Sequence, residues 1–405
     1  MKNWRVWKME KNYQLLFFSN LFNGMGNRFT QVALLALIYQ YTQSGFALGL
    51  LFFVRLIPFL IMAPIGGMLA DRFSKRSILL FVETIRVPIV LTLLFAESAE
   101  QLWIVYVSSF GLALGEAIYA PTRKATIPAL VQQGHLVHIN SIEQISMGLV
   151  LVIGSSLGGL ISFLFGMNSA FLMNALCFLV SIFFLANVQE PNVEISHQTE
   201  RIPRSSYRMF FKSKLLIIFI IISFTMPIAN GVDNVLMSIY ALDVFSMADL
   251  GVGLIYACLG IGFILSSFSS NFIKKRLVFV IILFIAFEGL GHIFLSLAPS
   301  FLTALLTVIF ITFTGGISDI GLNTLIMKSV PRHKQGTFFG LTEMITNVTL
   351  GIMMAVGGLF LEFADPRLLG AVVGMLYILF TCIYWMMFKK VDFYKEKRRL
   401  FSLFN

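Results

Sequence analysis

Gly66-Gly67-Met68-Leu69-Ala70-Asp71-Arg72-Phe73-Ser74-Lys75-Arg76 is a short charged knot between two long apolar runs. Gly67 lets helices approach closely. Asp71 and Arg72 follow where the first apolar run ends, and Lys75 and Arg76 come just before the next begins. So short a turn predicts two antiparallel, neighbouring helices. Its charges fall where oil meets water, a place from which they can bind or release a helix end as the protein changes shape.

The composition around this knot says the same. The chain has 405 residues, 58% of them hydrophobic and 12% charged. A soluble domain carries about twice that charged fraction, so the reading is a membrane protein. A formal charge of +10 would suit nucleic acid. The basic residues, however, lie in short clusters between apolar runs, which is membrane topology and argues against a nucleic-acid partner. Cys177, Cys258 and Cys382 all lie within apolar runs and offer neither a disulfide framework nor metal-ligand spacing. The basic N-terminus gives way to an apolar run from about Gln14 to Tyr41, too long for a signal-peptide core, so it is read as a membrane helix.

A span needs roughly 20 mostly apolar residues. Twelve are expected, near residues 13–40, 46–70, 77–96, 102–122, 141–165, 169–189, 214–240, 249–272, 277–297, 300–327, 337–362 and 367–388. Nearly every Lys and Arg outside them falls in the two tails and in alternate loops, which places both termini in the cytoplasm. Residues 190–213, with Pro191 and Pro203, form the longest polar stretch. They are expected to link an N-terminal six-helix bundle (1–189) to a C-terminal one (214–405) that ends in a basic cytoplasmic tail. The halves echo one another at an offset of about two hundred residues. Ile38-Tyr39 returns as Ile239-Tyr240, and Gly49-Leu50 as Gly253-Leu254. Glu143 with Gly158-Gly159 returns as Glu343 with Gly357-Gly358. Parallel repeats of this kind build transporters with a site between the halves. The remaining loops are too short for a receptor or catalytic domain.

Ionisable residues at membrane depth normally face a cavity or a partner. Here they are Arg28, Arg55, Glu83, Arg86 and Glu116 in the first half, and Asp233, Glu288, His292 and Asp319 in the second. The first span puts Asn20, Asn23, Asn27 and Gln31 on one face beside Arg28. That face is either a cavity wall or interhelical glue. Asn230, Asp233 and Asn234 repeat the idea on the seventh span, and Asp319 with Asn323 on the tenth. Glu288 and His292, at i and i+4, are spaced to share a proton, unless His292 is merely solvated at the outer boundary. Glu83 and Arg86 are expected to pin one another. Arg55 suits an anionic group or one of the embedded acids.

The spacing Gly67…Asp71-Arg72…Arg76 resembles the signature loop of the major facilitator superfamily, with Ser74 where that family usually has Gly. Pro121-Thr122-Arg123-Lys124-Ala125-Thr126-Ile127-Pro128-Ala129-Leu130-Val131 and Asn140-Ser141 resemble its macrolide-efflux and siderophore-exporter branch, as do Val330-Pro331 and Gly336-Thr337-Phe338-Phe339-Gly340. The resemblance implies the major facilitator fold, an all-α protein of twelve transmembrane helices in two pseudo-symmetric six-helix bundles that work by alternating access. It implies that Asp71 contacts the cytoplasmic end of the eleventh helix, which carries Glu343. It also implies that Arg76 reaches an acid on the fourth helix, for which Glu116 is the nearest candidate. Antiporters of the family carry Gly-Pro-x-x-Gly-Gly in the fifth helix; here Gly154-Ser155-Ser156-Leu157-Gly158-Gly159 keeps the glycines and loses the proline.

The expectation is a bacterial inner-membrane exporter of a lipophilic small molecule, monomeric, driven by protons and needing no cofactor or metal. Substrate would sit between the first, second, fourth, seventh, tenth and eleventh helices, with Arg28, Arg55, Asp233 and Asp319 as polar anchors. Asn27, Gln31, Glu116, Asn234, Glu288 and Asn323 would complete the substrate and proton path. Gly67, Asp71, Arg72, Arg76 and Glu343 would form the gate. An importer or lipid flippase on the same fold, and a non-transporting sensor or scaffold, are the alternatives; no nucleophile–base pair supports an enzyme.

Overall fold

The computed structural model describes residues 2–43, 45–189, 210–273, 276–392, 395–396 and 399–400. Residues 190–209 of the expected linker lie outside the described residues, as do Lys274, Lys275, Lys397 and Arg398 of the basic clusters. Among the described residues every regular element is helical.

The first long helix, α1 (Lys11–Thr42), has 32 residues and carries the amide face. Eleven further segments among the described residues are long and apolar enough to cross a membrane. They are α2 (Gly49–Arg72), α3 (Lys75–Phe95), α4 (Ala99–Leu130), α5 (Gln133–Phe165), α6 (Met167–Ala186), α7 (Lys214–Val244), α8 (Leu250–Ile273), α9 (Leu277–Ser296), α10 (Phe301–Ser329), α11 (Arg332–Leu361) and α12 (Pro366–Lys389). Their ends have local causes. The Ser74 hydroxyl accepts the Ser77 N–H at 3.3 Å and caps α3, a task that a glycine there could not perform. Ser300 and Thr303 close a capping box on α10. Asp365 caps α12 ahead of Pro366, whose missing N–H goes unnoticed in a first turn.

Packing repeats with a shift of six helices. In the first bundle α1 lies on α5 and α6, α2 on α4, and α3 on α4 and α6. In the second, α7 lies on α11 and α12, α8 on α10, and α9 on α10 and α12. Between the bundles, α2 packs along α11 as α8 packs along α5, and α4 meets α11 as α10 meets α5. The sequence echoes therefore mark equivalent helices of a two-fold arrangement. One expectation fails here. The Asp71–Arg76 turn does not make α2 and α3 close neighbours, because α2 is turned away onto α4 and the opposite bundle and touches α3 only slightly.

One continuous apolar core joins both bundles on the side bearing the basic loops. It includes Tyr13 and Phe17 of α1, Ile127 of α4, and Phe338 and Phe339 of α11. The far end of the first bundle has its own core, with Phe29, Leu37, Phe171 and Phe178, and no residue of α7–α12 belongs to it. The apolar core thus joins the bundles at the basic side, and the α2–α11 seam continues away from it as far as Leu56 and Gly351. Helix α5 is interrupted without proline: a π turn spans Val150–Gly154, just before the glycines that lie against α1. A Cβ on Gly158 would stand 3.1 Å from the Phe29 backbone.

Candidate functional site

The amide face of α1 meets the buried charges of α3 and α4. Asn23 donates to Glu83, and Asn27 donates to Asn23 at 2.7 Å and to Glu116 at 3.2 Å. Arg86 lies at the centre. It stands 3.0 Å from Glu116 and 3.7 Å from Glu83, and donates to the Asn27 carbonyl at 2.8 Å. Its guanidinium lies 4.5 Å above the Phe178 ring. Gly115 makes this possible, since a Cβ there would come within 2.7 Å of the Arg86 stem. Glu83 and Arg86 pin one another as their spacing suggests, and Glu83 is wholly buried.

Beside this knot lies a cavity of about 260 Å³. Asn27, Arg28, Gln31, Arg55 and Glu116, all read from the sequence as site residues, line it together with Arg86 and Ser109. The amide face is therefore cavity wall at Asn27 and Gln31, and glue at Asn20 and Asn23, where Asn20 donates to Ser146 at 3.3 Å. Arg28 donates to the Gln31 carbonyl at 3.1 Å. Among the described residues Arg55 has no hydrogen bond or ion pair, and no acid lies within ion-pair reach of Arg28. An ionisable residue at membrane depth costs about 2.5–3.5 kcal/mol on insertion scales, so two guanidiniums without an ion pair in one lining need a reason, with only the more distant Glu116 attracting Arg55.

The second bundle's candidates do not line this cavity; they gather in two other places. His292, buried among α9, α7 and α12, lies 3.2 Å from Asp233 and stacks on Tyr377 at 5.1 Å between centroids. The expected Glu288–His292 pair is thus replaced by Asp233–His292, because the imidazole turns toward α7. His292 is also not a solvated outer residue, being only 1% exposed. Glu288 is buried nearby with one carboxylate oxygen unpartnered, and Tyr377 donates to Asn230. Asn234 is exposed and bonds only to its own helix, at the Asn230 carbonyl, 2.8 Å. Asp319 accepts from Asn323 at 2.7 Å and, across the bundles, from Gln144 of α5 at 2.7 Å.

Further polar contacts across the bundles lie toward the basic side, while apolar ones continue deeper, Gly351 of α11 lying against Leu56 of α2 and Gly260 of α8 against Val152 of α5. The Asp71 carboxylate accepts the Gly336 and Thr337 N–H groups, each at 2.7 Å, and the Thr337 hydroxyl at 2.6 Å. A carboxylate there satisfies free amides and faces the positive end of the helix dipole. Lys124 of α4 meets Glu343 of α11 at 2.5 Å, and Asn140 donates to Thr324 at 2.9 Å. Gly67 faces Gly336 and Gly340, and a Cβ at Gly67 would run into their backbones. Arg72 is exposed at the turn. Arg76 does not reach Glu116. It donates instead to the Leu185 carbonyl at 3.3 Å and to that of Ala186, the open end of α6. Glu116 lies too deep, and Arg86 already holds it.

Sequence reasoning missed Lys124, Gln144 and Tyr377 as members of these clusters. Lys124 was visible only as a topology charge, and the polar Gln144, one residue from Glu143, was the clearest unread signal.

The family model of the Major Facilitator Superfamily matches residues 16–352. A Bacillus amyloliquefaciens protein whose name proposes it as a bacilysin exporter is 23% identical over 380 residues, 91% of this chain and 93% of its own. Macrolide efflux protein A of Streptococcus pyogenes is 19% identical over 195 residues, 48% of each chain. These are relatives of the export type that the sequence resembles. A crystal structure of a bacterial homologue of the iron transporter ferroportin, in an outward-facing state, aligns with a TM-score of 0.73 at 16% identity. The alignment covers 94% of this chain and 100% of that one, a likeness of fold alone.

Proposed function

The chain belongs to the Major Facilitator Superfamily, whose members are membrane transporters and not enzymes, and from that premise we propose a bacterial plasma-membrane exporter that exchanges a small lipophilic molecule for protons. The observation that carries this reading is the coincidence of a charged cavity in the first bundle with cross-bundle contacts placed toward the basic side. With both termini in the cytoplasm, the polar contacts at the basic side act as the inward gate. The linker 190–213 lets residues 1–189 and 214–405 rock about the cavity, as a monomer.

In this cycle the Asp71–α11 and Lys124–Glu343 contacts hold the outward-open state, and their release opens the cavity to the cytoplasm. Substrate enters from inside and leaves outside. Protons enter on Glu116 in the cavity and on Asp233, Glu288 and Asp319 in the second bundle, each partly or wholly shielded from water. A carboxylate exposed to alternate sides can carry a proton inward as cargo moves out.

The test is uptake into inverted vesicles with an acidified interior, across a panel of antibiotics and siderophores. Export of a panel member that collapses with an uncoupler is expected, and is lost in Asp233→Asn and Asp319→Asn. Flux that persists without the gradient would remove the proton coupling. Net uptake into intact cells would reverse the direction.

A further inference from the structure

Resting on that reading, we infer that the transported molecule is a small organic anion, its carboxylate or phosphonate group held by Arg28 and Arg55. The lining holds three guanidiniums, of Arg28, Arg55 and Arg86, and one carboxylate, that of Glu116. That carboxylate is already engaged by Arg86 at 3.0 Å and Asn27 at 3.2 Å. The bundle's other buried acid near it, Glu83, is also turned to Arg86 and Asn23. Arg86 thus takes both acids. Arg28 keeps the neutral Gln31 carbonyl, with the Tyr256 phenol of α8 farther off, and Arg55 feels Glu116 only at a distance, with no hydrogen bond or ion pair among the described residues.

A second observation is independent of charge. Ser109 is 1% exposed, lines the same cavity, and its hydroxyl has no hydrogen-bond partner among the described residues. Buried hydroxyls are normally paired, and an oxygen of a bound anion would pair this one. Guanidinium is the group that suits such a ligand, because its planar fork matches the oxygens of a carboxylate or phosphonate. A cationic ligand would face three like charges. Leu34, Leu112 and Val150 complete the lining and accept an apolar body. At about 260 Å³ the cavity lies below the roughly 300–1,000 Å³ of pockets that enclose drug-sized ligands. It fits a compact anion, or the anionic end of a longer molecule.

The experiment uses the full chain in lipid nanodiscs and reads thermal unfolding and binding. The probes are benzoate, salicylate and phenylphosphonate, each set against benzamide, salicylamide and benzylamine. The anions raise the unfolding midpoint and bind at least about tenfold more tightly than the neutral or cationic partners, the size of one charge-assisted hydrogen bond. Arg28→Gln and Arg55→Gln each remove about that factor, and Arg55→Lys retains part of it. Variants are compared only where they elute as monodisperse protein, with Arg28→Lys standing in if Arg28→Gln does not. The proposal fails if no anion in the set binds, if an amide or the amine binds as tightly, or if the Arg28→Gln/Arg55→Gln protein binds anions like wild type. Anion binding that needs both arginines, in a protein that shows no flux in vesicles, would uphold this site and defeat the exporter reading.

Discussion

Asp71 of α2 and Thr337 of α11 meet across the two bundles, the Thr337 N–H at 2.7 Å and its hydroxyl at 2.6 Å both donating to one carboxylate oxygen. The other oxygen takes the Gly336 N–H at 2.7 Å. A charge at a helix N-terminus contributes about 0.3–2 kcal/mol, the upper end where it is partly buried. Asp71→Asn keeps the shape and removes the charge. The population with the basic side parted should rise about five- to thirtyfold, as 1–2 kcal/mol implies. Spin labels at the exposed positions Phe73 and Arg332 would report it as a new long-distance component. Thr337→Val, which removes only the hydroxyl, should give a smaller rise. Identical distance distributions in all three proteins would show that this contact does not set the equilibrium.

Lys124 and Glu343 form the second tie, and Lys124 is 39% exposed at its side chain. Water screens such a pair, so a coupling of about 0.2–1 kcal/mol is expected and not more. Lys124→Glu places two carboxylates together, and Glu343→Lys two ammoniums. Either reversal should slow the return to the basic-side-closed state. The double exchange Lys124→Glu/Glu343→Lys should recover part of the wild-type rate and not all of it, because Asp319 and Arg123 also act on Lys124 and Asn347 donates to Glu343 at 3.0 Å. If the double variant is as slow as the worse single one, the two residues act through other partners.

The crossing of α2 and α11 depends on the absence of side chains. A Cβ at Gly340 would stand 3.0 Å from the Gly67 Cα and closer still to the Ala63 carbonyl. Those neighbours are backbone and cannot rotate aside. Gly340→Ala should therefore wedge the bundles apart on the basic side, and Gly340→Leu more so. Gly159→Ala is the control, since no atom lies within 4 Å of a Cβ there. Labelling of a cysteine at Thr337, reached from the basic side, should rise in Gly340→Ala and stay unchanged in Gly159→Ala.

Much of this was legible in the sequence because a bilayer imposes long apolar runs and sorts basic loops to one side. The helices, the duplicated order and the meeting of Asp71 with α11 all follow from such one-dimensional signals or from the signature they resemble. The partners of individual charges did not. Arg76 and Arg86 were equally plausible suitors for Glu116 by charge. Only helix depth and the space left by Gly115 give it to Arg86. His292 makes its direct contact with Asp233 of α7, a partner on another helix that no spacing rule supplies, while Glu288 acts on it from farther off. The π turn at Val150–Gly154 likewise has no signal in the sequence, in a stretch that keeps the glycines of the resembled motif and loses its proline.

Arg86 and Arg55 share a cavity and differ in what they neutralise, and stability should separate them. Arg86 is 1% exposed and faces two acids, one of them wholly buried. Arg86→Ala strands Glu83 in a dry interior, and breaking a buried pair in this way costs about 3–5 kcal/mol. A large fall in the unfolding midpoint, or no folded protein at all, is expected. Arg86→Ala/Glu83→Gln should recover part of the loss, because the stranded charge is gone. Among the described residues Arg55 has no ion pair and feels Glu116 only at a distance, while its burial costs hydration, so Arg55→Gln should leave the midpoint unchanged or raise it. Comparing the midpoints of the three variants in nanodiscs is the measurement. A destabilised Arg55→Gln would mean that Arg55 has a structural partner in the resting protein, and that its charge is not free to meet cargo.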